Sequence, residues 1–130
     1  MLPDHPDAAP VTLTGTGAVH AMAHVTGGGL ASNLERVLPV ELTATIARAS
    51  WTPHPIFDLV RQVGEVPQPD LEQTLNCGVG MVALVAPEAA DRVVATLADH
   101  GVEAWACGEV TAASGTDGGR VRLVGQHPGW

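Results

Sequence analysis

The segment Thr26-Gly27-Gly28-Gly29 divides two stretches of different hydrophobic period, and no other feature limits the fold so sharply. Before it, residues 18–25 form an apolar run of strand length. After it, Leu30, Leu34, Val37 and Leu38 recur at i, i+4, i+7 and i+8, one face of a helix, which Pro39 is expected to end. Glycines at such a junction let the backbone adopt positive φ and approach its neighbours closely.

The rest of the chain reads as a continuation of this alternation. Leu42, Ala44 and Ile46 alternate with Thr43, Thr45 and Ala47, as in a half-buried strand over 41–48. Trp51 to Pro55 is a Pro-punctuated turn. A helix is predicted from His54 to Val63, with Ile56, Leu59, Val60 and Val63 as its apolar face and Gly64 as its stop. Pro67 to Leu75 reads as a further short helix. Val79 to Ala86 is continuously apolar and is predicted to be a central strand. Glu88 to His100 gives the clearest helix, with Ala90, Val93, Val94 and Leu97 as its stripe. Val102 to Val110 reads as a buried strand, Ser114 to Gly119 as a turn, and residues 120–124 as an edge strand. This order predicts a layered α/β (α+β) sandwich, a mixed sheet with helices. Residues 1–17 read as a leader or linker stub, which leaves one domain over 18–130.

Composition narrows the function. Three Trp, one Phe and no Tyr force an aliphatic core. The formal charge of −8, with six Arg and no Lys, argues against nucleic acid and against an anionic membrane surface. Without Lys there is no Walker-type phosphate lysine and no Schiff base. Cys77 and Cys107 are too few for a disulfide framework and read as buried thiols of a reducing cytosol. The opening residues lack the pattern of a signal peptide, and no run of 18 apolar residues spans a membrane, so a cytoplasmic protein is expected.

Two segments could carry chemistry. A glycine loop that opens a helix suits a phosphate, because the helix start offers unpaired N–H groups and a positive dipole end. The same residues also make a tight turn, with Thr26 or Ser32 capping locally. The second is Asn76-Cys77-Gly78-Val79-Gly80-Met81, where alternate glycines clear one face of a strand start for another backbone or for a ligand. Asn76 could offer it a directed amide, or simply sit in a turn. His24 adjoins the first loop as an anion contact or a structural histidine. His20 and His24 lie too far apart on a strand to share a metal, and no metal site is expected. His5, His54, His100 and His127 read as solvent-facing. Glu109 is expected to pair with Arg36 or Arg48 at the end of a buried strand, whereas Glu35 and Asp58 read as solvated. No catalytic residue can be assigned.

Taken in order, Met22-Ala23-His24-Val25-Thr26-Gly27-Gly28-Gly29-Leu30, Asn33-Leu34, Arg36-Val37-Leu38-Pro39, Trp51 with Pro53 and Pro55-Ile56-Phe57, Asn76 to Met81, Gly108-Glu109-Val110 and Pro128-Gly129-Trp130 resemble the C-terminal domain of aminoimidazole ribonucleotide synthetase. The resemblance implies a two-domain, homodimeric, ATP- and Mg²⁺-dependent ligase of purine biosynthesis. It closes the imidazole ring of formylglycinamidine ribonucleotide, and an N-terminal domain supplies much of its ATP site. It further implies that Thr26 and Gly27, Gly28 and Gly29 receive a phosphate, with Asn33 on the turn above and Asn76, Gly78 and Gly80 as the neighbouring wall. His24 and Glu109 are weaker candidates. Cys77 stands where the family usually has Met, and Glu35 where it usually has Pro.

The N-terminal domain and its Mg²⁺-binding acids are not in this sequence. The expectation is therefore an enzyme half, inactive alone, that holds neither ATP nor Mg²⁺ by itself. The alternative is a stand-alone phosphate- or nucleotide-binding module, or an interaction module, derived from that domain. Selenophosphate synthetase and thiamine-monophosphate kinase share the architecture but not the Pro-Ile-Phe and Asn-Cys-Gly-Val-Gly-Met segments. The expected partners are the ribonucleotide or its product and the missing domain, with self-association through the apolar face that the domain would cover.

Overall fold

In the computed structural model, residues 18–116 and 118–130 are described. The stub 1–17, with His5, lies outside them. The strands are β1 (Val19–His24), β2 (Leu42–Ala47), β3 (Met81–Val85), β4 (Gly108–Ala112) and β5 (Val121–Val124). The helices are α1 (Gly29–Glu35), α2 (Pro55–Val63), α3 (Gln68–Glu72) and α4 (Ala90–Asp99). The α+β class follows the sequence pattern, with the strands divided between two small sheets. β1 and β3 form an antiparallel pair, and β4-β2-β5 is a mixed sheet in which β2 runs antiparallel to β4 and parallel to β5.

Ala23, Val25, Leu30, Leu34, Leu38, Ala44, Ile46, Trp51, Val79 and Val82 form the main core, which joins both sheets through α1. It is aliphatic apart from Trp51, as the composition requires. Burying each Leu or Ile contributes about 1.5–3 kcal/mol. Ala18, Ala89 and Val93 form a second, smaller cluster under α4.

Several expectations are corrected. Among the described residues β3 is not a central strand, because it pairs with β1 alone, whereas β2 has neighbours on both sides. Apolar runs report burial, and here packing against the core buries Val79 and Val82 without a second strand neighbour among the described residues. β4 begins at Gly108 rather than Val102, and all five of its residues are exposed. Its start is set by close approach, since a Cβ at Gly108 would overlap the Thr45 carbonyl. α1 ends at Glu35, before Pro39, and residues 36–38 continue as turns. The apolar face of α2 is left uncovered, and the helix buries no residue. Its apolar face is exposed at Ile56 (56%), Leu59 (56%), Val60 (38%) and Val63 (76%). One tie to the rest of the chain is Arg61, which pairs within the helix with Asp58 at 2.6 Å and lies 4.9 Å from the centre of the Trp130 ring.

Candidate functional site

The two glycine segments are more than forty residues apart in sequence, and the β1–β3 pairing brings them together. His24 at the end of β1 faces Met81 at the start of β3, and the Val25 amide donates to the Gly80 carbonyl at 2.9 Å. The exit of the first strand and the entry of the other therefore share one rim.

The first segment is shaped from inside by Asn33, which is 4% exposed. Its Nδ2 donates to the carbonyls of Gly29 at 2.7 Å and of Thr26 and Gly27 at 3.3 Å each. The Thr26 hydroxyl donates to Asn33 Oδ1 at 3.3 Å. Asn33 is thus turned into the loop, where it gathers three carbonyls and fixes the path of the backbone. Neither Thr26 nor Ser32 caps α1, whose N-cap position is Gly28. Gly28 (φ 99°) and Gly29 (φ 81°) are left-handed, and a Cβ on Gly29 would overlap the carbonyl of Glu72 at the end of α3. Gly27 differs, being exposed, with open space where a Cβ would stand.

The second segment is a turn of the kind its Asn suggests. Asn76 Oδ1 accepts the Gly78 amide at 2.9 Å, and its carbonyl accepts the Val79 amide at 3.0 Å. Between them Cys77 takes φ 50°, and its carbonyl accepts the Trp51 indole N–H at 3.1 Å. Gly78 (φ 93°) lies under the ring edge of His54, 3.6 Å from the place of a Cβ. Gly80, like Gly27, has open space beside it and is exposed. The exposed rim therefore consists of His24, Thr26, Gly27 and Gly80, while Asn33, Gly28, Gly29 and Gly78 shape the backbone behind it. Asn76 stands half-buried between the two groups.

Between the segments lies a gap of about 10 Å³ lined by Leu30, Trp51, Glu72, Leu75, Asn76, Cys77 and Leu123. It has room for about one water molecule, so any organic ligand must sit on the open side. A groove of about 430 Å³ runs along α2, lined by Pro55, Ile56, Asp58, Leu59 and Gln62, and shares no residue with the rim.

The site lacks a primed nucleophile. Burial, and then the nearby Glu72 carboxylate, push the Cys77 thiol up to about 11, and burial also raises Cys107. Both cysteines are free. Among the described residues no group of three His, Cys, Asp or Glu side chains could hold a metal ion. The described donor set does not fit Mg²⁺.

Sequence reasoning missed three residues behind the rim. Arg48 meets Glu72 in a two-point ion pair, Nε to Oε2 at 2.8 Å and Nη2 to Oε1 at 2.9 Å. This pairing chiefly holds the guanidinium in its charged form, against the cost of burial. Arg48 Nη1 also donates to the carbonyls of Leu123 at 2.9 Å and Gly125 at 3.0 Å. The expected Arg48–Glu109 pair is therefore absent, and Glu109 is exposed on β4, as is Arg36 on its own turn. Glu35 is not merely solvated, because its Oε1 accepts the Val121 amide at 3.1 Å. His127 is 2% exposed instead of solvent-facing. Its Nδ1 lies 2.9 Å from the Arg48 carbonyl and 3.4 Å from that of Trp51. Both are acceptors, so Nδ1 carries a proton. Nε2 has no hydrogen-bond partner and stands 3.9 Å from Glu72 Oε2. No periodicity links positions 48, 72 and 127, so only the fold reveals the cluster.

Comparison with known proteins bears on this site. The family model described as AIR synthase related protein, C-terminal domain, matches residues 1–119. A Streptomyces fradiae protein, named provisionally as a phosphoribosylformylglycinamidine cyclo-ligase, is 56% identical over 119 residues, which are 90% of this chain and 65% of that protein. The phosphoribosylformylglycinamidine cyclo-ligase of Symbiobacterium thermophilum is 45% identical over 95 residues, 73% of this chain and 27% of that enzyme. The chain thus spans under two thirds of the length of either relative.

Proposed function

This chain belongs to the family of AIR synthase related protein C-terminal domains, and on that premise we propose that it is the C-terminal half of a phosphoribosylformylglycinamidine cyclo-ligase. In this reading the glycine rim receives the phosphate of formylglycinamidine ribonucleotide or of its ring-closed product. The observation that carries it is the β1–β3 pairing, which sets Gly27 and Gly80, both exposed and unobstructed, on one rim. Thr26 adds an exposed hydroxyl and His24 an exposed imidazole to the same rim. Asn76 supports the rim from one side and Asn33 from within.

The chemistry then divides between two halves. In the complete enzyme ATP, with Mg²⁺, activates the formyl amide oxygen. The amidine nitrogen closes the ring, and ADP and phosphate leave. The contribution of this half is positioning and electrostatics, which is most of what phosphoryl transfer asks of a protein. ATP and Mg²⁺ would be held by a companion domain. The exposed stripe of α2 is a surface that such a domain, or a second copy of this chain, could cover. Two free thiols agree with a cytoplasmic protein. No described helix is long and apolar enough to cross a membrane.

The test is a ring-closure assay. Alone, the chain should release no ADP from ATP and formylglycinamidine ribonucleotide. Mixed with the N-terminal part of the Symbiobacterium thermophilum relative, it should restore turnover, and Gly27→Asp should abolish it. Binding of the ribonucleotide without any restored turnover would favour the stand-alone binding module instead.

A further inference from the structure

Glu72 touches both halves of the proposed cradle. Its main-chain carbonyl lies directly against Gly29, so closely that no side chain fits there. It also borders the small gap that separates Leu30, on the first segment, from Asn76 and Cys77, on the second. Its carboxylate, 8% exposed, is gripped at two points by Arg48, and Arg48 reaches on to the carbonyls of Leu123 in β5 and of Gly125 just after it. His127 packs edge-on to Trp51, with ring centres 4.6 Å apart, and closes this cluster from behind. A planar guanidinium held at four points fixes direction as well as charge, which a lysine ammonium would not do.

We propose that Arg48 and Glu72 are a positioning pair that sets the spacing and order of the two glycine segments. Neither residue lies on the exposed rim. They act through the end of α3, which serves as the floor of the first segment and a wall of the second. This role rests on the reading of the rim as a phosphate site, although the ordering itself can be measured without any ligand.

The test is amide hydrogen exchange on the whole chain, comparing wild type with Glu72→Ala, Glu72→Gln and Arg48→Lys. The informative amides are Gly29, Gly78 and Val79, each hydrogen-bonded within a glycine segment. The controls are Val94 and Leu97 in α4, which packs on the separate smaller core. Glu72→Ala should speed exchange at the three glycine-segment amides by about tenfold or more and leave the α4 amides within about twofold. Glu72→Gln, which keeps one acceptor for Arg48, should retain most of the protection, and Arg48→Lys should fall between. Unchanged glycine-segment amides would overturn the proposal. A uniform rise that includes α4 would also overturn it, since that is a loss of global stability and not of local order. Should Glu72→Ala fail to fold, Glu72→Gln and Arg48→Lys decide on the same readout. A parallel titration of wild type with aminoimidazole ribonucleotide separates the two ideas, because failure to bind counts against the phosphate reading and leaves the exchange result to judge the pair.

Discussion

The carbonyl oxygen of Glu72 stands where a Cβ on Gly29 would have to be, so the first glycine segment and the end of α3 meet backbone to backbone. Gly29 is therefore required by packing as well as by its left-handed φ of 81°. Its neighbour Gly27 is bound by neither demand.

This contrast separates structure from function within one tripeptide. Gly29→Ala should lower the unfolding free energy by about 3–5 kcal/mol, from backbone strain together with the forced displacement of α3. Gly27→Ala should change it by less than about 0.5 kcal/mol. Urea unfolding of the two variants beside wild type checks this, and equal midpoints for all three would contradict the packing argument.

Asn33 is the next test of the loop. Its amide group donates to three carbonyls from a buried position. Asn33→Ala should cost about 1–3 kcal/mol, the loss of a buried donor whose acceptors remain. Asn33→Asp should cost more at neutral pH, because it sets a carboxylate against those oxygens. Thermal melts should rank wild type above Ala and Ala above Asp. An Asp variant that melts with wild type would show that the amide is not the clamp.

Cys77 gives the chain a pH signature. Its thiol is raised in the folded protein from an ordinary value of 9.0 to about 11, by burial first and Glu72 second. In this interval the unfolded chain has released a proton that the folded chain still holds. Its contribution is fully present below about pH 9 and is lost as pH rises towards 11, so stability should fall across that window. Replacing Cys77 with Ala should flatten this part of the profile in denaturant titrations at pH 8, 9, 10 and 11. An unchanged slope would place its origin elsewhere.

The apolar stripe of α2 should govern association rather than folding. Leu59→Ser with Val63→Ser removes large exposed surface and should shift stability by less than about 1 kcal/mol for the pair. If the isolated chain associates with itself through this face, light scattering at high concentration should show oligomers that the double variant lacks. A wild-type monomer at every concentration would rule out self-association and leave the stripe to a different partner.

These residues also show how far the sequence could be read. Most strands and the helices near 55 and 90 were legible, because hydrophobic period acts locally; that the glycine segments are neighbours was implied only by the family resemblance. The 18–25 and 79–86 runs each contain a strand, and their pairing is seen only in the fold. The neighbours of a strand were not legible: the apolar run at 79–86 reports burial but not pairing. The cover of the α2 stripe was not legible for a related reason. Its period identifies a helix with one apolar face, but what covers that face is a property of the whole assembly. The meeting of Arg48, Glu72 and His127 left no trace, since long-range ion pairs and a buried imidazole carry no period at all.

The central claim is that the glycine rim binds the phosphate of the ribonucleotide, and a calorimetric titration of this chain with aminoimidazole ribonucleotide tests it most directly. Gly27→Asp is the matched control, since it adds an anion to the open part of the rim where a side chain meets no obstruction. Saturable binding by wild type that Gly27→Asp loses, with both proteins equally folded, is the expected result. Equal binding by the two proteins, or no binding by either, would contradict it.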